Sequence, residues 1–224
     1  MSLKLRFELP EKLFIKDPQG SEYGHRLLSN AIELINQLGI ERFTFKKLAT
    51  RMSSSEVSIY RYFENKHLLL VYLNCWYWEW VTYLIDLKTI NLNDSSLKLE
   101  RAIHCMIHAK TESILSDYIN ENLLFQVIMK EGSKTYHISG IAEEKKYGFF
   151  IPYKELVAKL AKIIQEINPQ FRYSKSLGST LFEMINNQLF YAEHLPSLTS
   201  LNKSKRISEL EIMVNHFAFA IVNK

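Results

Sequence analysis

Glycine and proline are scarce in this chain, with seven and five among 224 residues. Both interrupt regular structure, so their rarity favours long helices. Cysteine is scarcer still. Cys75 and Cys105 sit in apolar helical stretches without metal-finger spacing, which argues for buried thiols in a reducing cytoplasm and against a zinc finger or a disulfide framework. There is no glycine-rich phosphate loop, no Gly-x-Ser-x-Gly and no His-Glu-x-x-His. A single Glu-x-x-His, Glu22 to His25, stands where a di-iron bundle needs two, so no enzyme is expected. No long apolar run qualifies as a membrane span, since Asn74, Glu79 and Asp86 interrupt the nearest approach, Leu68 to Leu87. The first residues do not have the pattern of a signal peptide, so a cytoplasmic setting is expected. Internal repeats and low-complexity segments are not apparent.

What is present is a globular composition, 47% hydrophobic and 12% aromatic, in a chain long enough to bury a substantial second core beside a small module. The net charge of +4 permits a nucleic-acid partner without indicating one. Leu3, Leu5, Phe7 and Leu9 alternate with Lys4, Arg6 and Glu8, which suits an extended strip packed on the body; alternatively Lys4 and Arg6 reach a DNA groove. Asp17 with Pro18, or else Ser21, opens a helix whose Leu27, Leu28, Ala31, Ile32, Leu34, Ile35 and Leu38 form a buried face ending at Gly39.

Thr44 to Lys66, TFKKLATRMSSSEVSIYRYFENK, reads as two short helices joined by a tight turn. Small Ala49 permits close helix approach, the serine-rich turn follows four residues later, and Ile59 lies ten residues past Ala49. This is helix-turn-helix spacing. Thr44 caps the first helix and Ser55 the second, although Ser53 with Glu56 offers a competing capping box. Arg42, Lys46, Lys47, Arg51, Arg61 and Lys66 outnumber Glu56 and Glu64 here, a cation cluster that phosphate would sense.

The run Ile59-Tyr-Arg-Tyr-Phe-Glu-Asn-Lys-His-Leu-Leu69 closely resembles the LYxYFxxKxxLL signature of the tetracycline-repressor (TetR) family of bacterial transcription regulators. The resemblance extends over about Arg26 to Tyr72. It implies that Thr44, Lys46, Tyr62 and Lys66 touch phosphates, and that Ser55, Glu56, Ser58, Tyr60 and Arg61 lie in or beside the major groove. The turn departs from the family pattern: Ser53 replaces a usual glycine, Ser54 an aliphatic residue, Glu56 a basic or polar one, and Val57 a glycine or proline. An acidic Glu56 is tolerable in a groove only if it points at a cytosine amino group or at Arg61.

Beyond Asn65 the pattern predicts helices at about 66–88, 96–116, 121–131, 141–167, 174–194 and 203–223, with breaks at Asn91–Ser96, Gly132–Gly140, Pro169 and Pro196. The loop around Gly132 is the long candidate for a mobile flap. Leu177, Leu181, Ile185 and Leu189, then Ile207, Leu210, Val214, Phe217 and Ile221, recur at helical spacing on the last two helices. Such faces suit either an ordinary core or a four-helix interface between two copies, and the family likeness favours a homodimer facing a palindromic operator.

Trp76, Trp80 and Tyr83 belong to an aromatic cluster on the fourth helix, and with His104 and His108 they are the candidates for binding a small-molecule effector. His104, His108 and Glu112 also form one stripe of the fifth helix, where two imidazoles and a carboxylate suit a transition metal. The chain is thus expected to be an all-α, homodimeric DNA-binding repressor without cofactor, divided into an arm (1–20), a helix-turn-helix head (21–66) and an effector-binding and dimerisation body (67–224). A small apolar or aromatic molecule would release it from double-stranded operator DNA. The alternatives are a metal-dependent helical enzyme or metal sensor using the histidine stripe, or a ligand-binding dimer that has lost DNA recognition.

Overall fold

The structure, a computed structural model, describes residues 6–111, 118–137, 146–202 and 204–223. Among these are nine α-helices and no strand, so the all-α class expected from the sequence holds. The helices are α1 (Glu22–Arg42), α2 (Phe45–Arg51), α3 (Glu56–Tyr60), α4 (Lys66–Thr89), α5 (Ser95–His108), α6 (Glu121–Glu131), α7 (Ile151–Ile167), α8 (Ser174–His194) and α9 (Arg206–Val222). Among the described residues no helix is long and apolar enough to cross a membrane.

The chain divides by packing into two compact units, Met1–Trp78 with Lys110–Pro152, and Glu79–Ala109 with Tyr153–Lys224. These follow contact, whereas the division at 1–20, 21–66 and 67–224 concerns role and stays a proposal.

In the first unit the amino-terminal strip behaves as its alternation predicts. Phe7 and Leu9 are buried, and Phe7 packs edge-on against Trp76 at 5.1 Å between ring centroids. The Gln19 amide clamps the strip, donating to the Phe7 carbonyl at 2.9 Å and accepting the Phe7 N–H at 3.0 Å, so this buried backbone is satisfied without a sheet. Arg6 pairs with Asp17 at 2.6 Å, which engages one of the cations considered for a groove. Leu3, Lys4 and Leu5 lie outside the described residues.

Asp17 and Ser21 each open a helical segment. Asp17 caps a 3-10 turn at Pro18–Gly20, and Ser21 caps α1 by accepting the Gly24 N–H. The face of α1 built on Leu27, Leu28, Ala31, Ile32 and Ile35 is buried and packs against α6, each leucine and isoleucine contributing roughly 1.5–3 kcal/mol by leaving water. The chain bends at Gly39, whose φ of +74° is open to glycine and strained for other residues. After α6, Gly132–Thr135 forms a 3-10 turn with Gly132 and Thr135 buried, so this part of the expected flap is packed; residues 138–145 lie outside the described residues.

In the second unit α9 packs on α8 and on α5, and α5 packs on α8. Gly178 on α8 lets that helix approach α7, because a Cβ there would stand 3.1 Å from Leu160 Cβ and 3.3 Å from the Val157 carbonyl oxygen. Lys98 binds Glu166 at 3.1 Å, and Lys159 pairs with Asp86. The expected helix at 96–116 is described as α5 up to His108, with 112–117 outside the described residues. Of the helix expected over 141–167, Ile151–Ile167 is described as helical and is preceded by a turn at 147–150 in which Gly148 takes φ +78°, while residues 141–145 lie outside the described residues. Cys75 and Cys105 are buried thiols, as expected, and the Cys75 thiol donates to the Phe149 carbonyl.

Replacing Gly39 by Ala should lower unfolding stability by about 1–2 kcal/mol, from the left-handed backbone and the Glu131 oxygen 3.1 Å from the new Cβ. Gly20→Ala, whose Cβ meets nothing within 4 Å, is the control and should leave the denaturant midpoint almost unchanged.

Candidate nucleic-acid interface

The segment singled out by its spacing folds as α2, a turn and α3. Thr44 accepts the Lys47 N–H and Ser55 accepts the Ser58 N–H, each at 3.2 Å, so both helices start where their caps predict. The competing box is not used. Ser53 instead takes φ +50° in the turn, the left-handed conformation for which glycine is the default residue. Ser54 N–H closes onto the Ala49 carbonyl at 2.9 Å, and the Ser54 hydroxyl bonds to Tyr23 at 2.8 Å, tying the turn to α1. Leu48, Ala49 and Ile59 are buried together with Phe45, whose ring packs edge-on against Tyr60.

This arrangement sorts the expected DNA-contact residues into two groups. Thr44, Lys46, Ser55, Tyr60 and Arg61 are exposed, while Glu56 and Ser58 are half-buried. Lys46 and Arg61 make no side-chain ion pair or hydrogen bond among the described residues, and neither does Glu56 with Arg61. The capping hydroxyl of Thr44 uses a lone pair for the helix and keeps a proton to donate, while that of Ser55 also bonds to the Ser58 hydroxyl at 2.9 Å. Val57, named in the sequence only as a departure from the family pattern, is 65% exposed on the same short helix; its exposure depends on which face of α3 the turn presents.

Two expected residues are occupied elsewhere. Tyr62 is only 5% exposed: its ring stacks on Tyr23 at 5.6 Å and its hydroxyl bonds to Ser21 at 2.9 Å, so the assignment of Tyr62 to phosphate is replaced by a core position. Lys66 directs its ammonium at three carbonyl oxygens beyond the Gly39 bend, those of Ile40 (2.8 Å), Glu41 (3.1 Å) and Phe43 (3.4 Å). Those bonds use all three of its donors, so Lys66 acts as a cationic cap and not as an outward phosphate ligand. Of the remaining cations, Arg51 is held by Glu33, Asn30 and Gln37 on α1, and Lys47 donates to the Arg42 carbonyl.

The effector candidates also separate. Trp76 and Trp80 are fully buried, Trp76 against Phe7 and Trp80 stacked on Tyr83 while donating to the Ala109 carbonyl at 3.1 Å. Both side chains are packed among their neighbours, with 1% or less of either exposed. His104 lines an open cavity of about 630 Å3 in the second unit, with Leu92, Leu97, Arg101, Glu211 and Ile212 among its walls. His108 lines an adjoining opening of about 540 Å3. Both imidazoles bond to Glu211 of α9, a partner more than 100 residues away that no local pattern could reveal. Partial burial pushes the Glu211 carboxyl up, and the hydrogen bonds from the two histidines outweigh it, holding the group below the usual carboxylate range. Glu112, the expected third member of the stripe, lies outside the described residues.

Fold and site together define an all-α protein with an amino-terminal helix-turn-helix. Residues 27–73 match the family model described as bacterial regulatory proteins, tetR family. That match spans the helix-turn-helix and marks this segment of the chain as similar to the tetracycline-repressor family. Among curated proteins none matches it in sequence. The solved structures it resembles include AibR in complex with isovaleryl coenzyme A and operator DNA, at 15% identity and TM-score 0.58 over 84% of this chain and 95% of that one. The superantigen PfiT matches at 16% identity and TM-score 0.59, over 92% and 98% of the two chains. PfmR, a TetR family transcriptional regulator from Thermus thermophilus, matches at 16% and 0.54, over 88% and 97%. At such identities the likeness is one of fold.

Lys66→Met should cost about 1–3 kcal/mol of unfolding stability, because it leaves carbonyl oxygens at the end of α1 without a donor. Urea denaturation of the two proteins measures this, and an unchanged midpoint would contradict the capping role.

Proposed function

We propose that this chain is a homodimeric repressor that binds a palindromic operator through α3 and is released by a small-molecule effector held in its larger helical domain. The observation that carries the DNA half is local. Val57, Tyr60 and Arg61 are exposed on or just past α3, with Lys46 and Thr44 exposed on and before α2. In this reading Lys46 and Thr44 hold phosphates, while Arg61, Ser58 and Glu56 face base edges and Val57 meets a thymine methyl. Glu56 would accept from a cytosine amino group, which makes it a selector of sequence and not a source of affinity.

Pairing through α8 and α9 is supported by what folding leaves uncovered. Leu177, Leu181, Ile185, Leu189, Leu210 and Val214 are consumed by the core of one chain, yet Phe217 and Ile221, one turn apart on α9, stay exposed at 44% each. A two-fold pair would present two copies of α3 to the half-sites of a palindrome. The effector side of the proposal rests on the cavity beside His104, whose Leu92, Leu97 and Ile212 suit an apolar portion and whose Arg101 suits an acidic one. AibR, crystallised with an acyl coenzyme A and operator DNA, supports a ligand of mixed character on this fold. α4 runs from one packing unit into the other, so it is the continuous element through which an effector would bias the DNA-bound conformation. Linkage makes the effect reciprocal: the effector weakens operator binding by the factor with which the operator weakens effector binding.

Selection of genomic DNA fragments by the purified protein should return a palindromic consensus. On that operator Lys46→Ala should lower affinity across sequences and flatten the salt dependence by about one unit of slope. Arg61→Ala and Glu56→Ala should change which bases are preferred. Recovery of no consensus, with the three variants binding like the parent, would overturn the reading.

A further inference from the structure

In the second unit two imidazoles and one carboxylate converge from different helices. His104 and His108 lie one turn apart on α5, their rings stacked with centroids 4.2 Å apart and 24° between planes. Glu211 reaches them from α9 and gives one oxygen to each, at 2.9 Å from His104 Nδ1 and 3.0 Å from His108 Nε2. One ligand atom from each of the three residues can be chosen so that all lie within 4.8 Å of one another. The sequence places two of the three residues on one stripe; the fold supplies the carboxylate.

We propose that His104 Nδ1, His108 Nε2 and Glu211 form a binding site for a first-row transition dication of the zinc type, joining α5 to α9. Ligand atoms around tetrahedral zinc stand about 3.4 Å apart, since Zn–N and Zn–O bonds are both about 2.0–2.1 Å. The three side chains are each about one-third exposed or less, at 33%, 26% and 29%, and small rotamer adjustments close them around an ion. Each neutral imidazole must present a lone pair at the nitrogen now facing Glu211, which a shift of its one N–H to the other ring nitrogen provides. The ligand set selects the metal class: two imidazoles and one carboxylate suit zinc, cobalt or nickel, whereas magnesium and calcium prefer oxygen alone.

The surroundings suit an ion with a coordination position left open. Openings of about 630 and 540 Å3 adjoin the group, one lined by His104 and Glu211 and the other by His108 and Glu211. Asn215, one turn past Glu211, donates to the Glu211 carbonyl at 2.8 Å while its own Oδ1 is buried without a hydrogen-bond partner. Asn215 is also among the residues lining the larger cavity. None of this depends on operator binding, so the site stands or falls separately from the DNA reading.

The test uses untagged full-length protein, stripped of metal by a chelator and kept free of DNA, titrated with cobalt, zinc and magnesium ions. The site predicts saturation at one cobalt per chain with visible d–d absorption, a rise in melting temperature of about 5 °C or more in excess zinc, and no response to magnesium. Glu211→Gln and His108→Asn should each weaken cobalt binding at least tenfold, with circular dichroism confirming that each variant is helical. Absence of saturable cobalt absorption and of a zinc-induced shift in the parent protein would overturn the site even if a variant fails to fold. So would variants that bind as the parent does, leaving the triad as a hydrogen-bonded clamp.

Discussion

Where α1 bends at Gly39, the backbone leaves the helical pattern and its polar groups must find partners outside the helix. The partners come from distant elements. Glu131 of α6 accepts the Ile40 N–H at 3.2 Å, and Lys66, the first residue of α4, donates to the Ile40, Glu41 and Phe43 carbonyls. Glu131 is itself held by Lys134 at 2.8 Å. Each such buried or half-buried group would cost about 1–3 kcal/mol if left unpaired, so the bend is fixed in direction as well as position. Everything that faces outward on α2 and α3 follows from that direction, because Phe43 and Thr44 lead directly from the bend into α2.

A five-residue helix has almost no stability of its own, since nucleation cancels what a single turn of hydrogen bonds gains. α3 exists because its environment is over-determined. Ile59 is sealed in the core, Phe45 supports the Tyr60 ring, and Ser54 is pinned to Tyr23 of α1. The strain of Ser53 at φ +50° is accepted locally, of order 1–2 kcal/mol, in return for a turn tight enough to bring α3 across α2. A surface that must meet a rigid duplex benefits from this, because orientation set by folding need not be set again on binding.

Local chemistry was readable from the residues alone and long-range partnership was not. The caps Thr44, Ser55, Asp17 and Ser21, the bend at Gly39 and the buried face of α1 each follow from spacing within a few residues. The fates of Lys66, Tyr62 and Glu211 depend on partners 23 to 107 positions away, which periodicity does not encode. Trp76 and Trp80 show the same limit from another side: an aromatic-rich helix is equally consistent with a pocket wall and a packed core, and only the neighbours decide. The histidine stripe was visible as two of three members, with the carboxylate partner supplied by a helix whose pattern spoke only of apolar faces.

The distribution of cations around the helix-turn-helix carries the last step. Six basic residues and two carboxylates lie between Arg42 and Lys66, and the sequence offers no way to rank the six. The fold ranks them by occupation. Arg51 is bound to three side chains of α1, Lys66 to three carbonyls, and Lys47 and Arg42 each donate to one carbonyl. A cation already satisfied by protein acceptors must break those bonds to serve phosphate, whereas Lys46 and Arg61 exchange only water and counterions. In the proposed complex the favourable electrostatics of a duplex would therefore concentrate on the two residues the fold does not need, one on α2 and one at the end of α3. Under the proposed reading such a division would let base preference change at Glu56, Val57 or Arg61 without disturbing the bend that orients them.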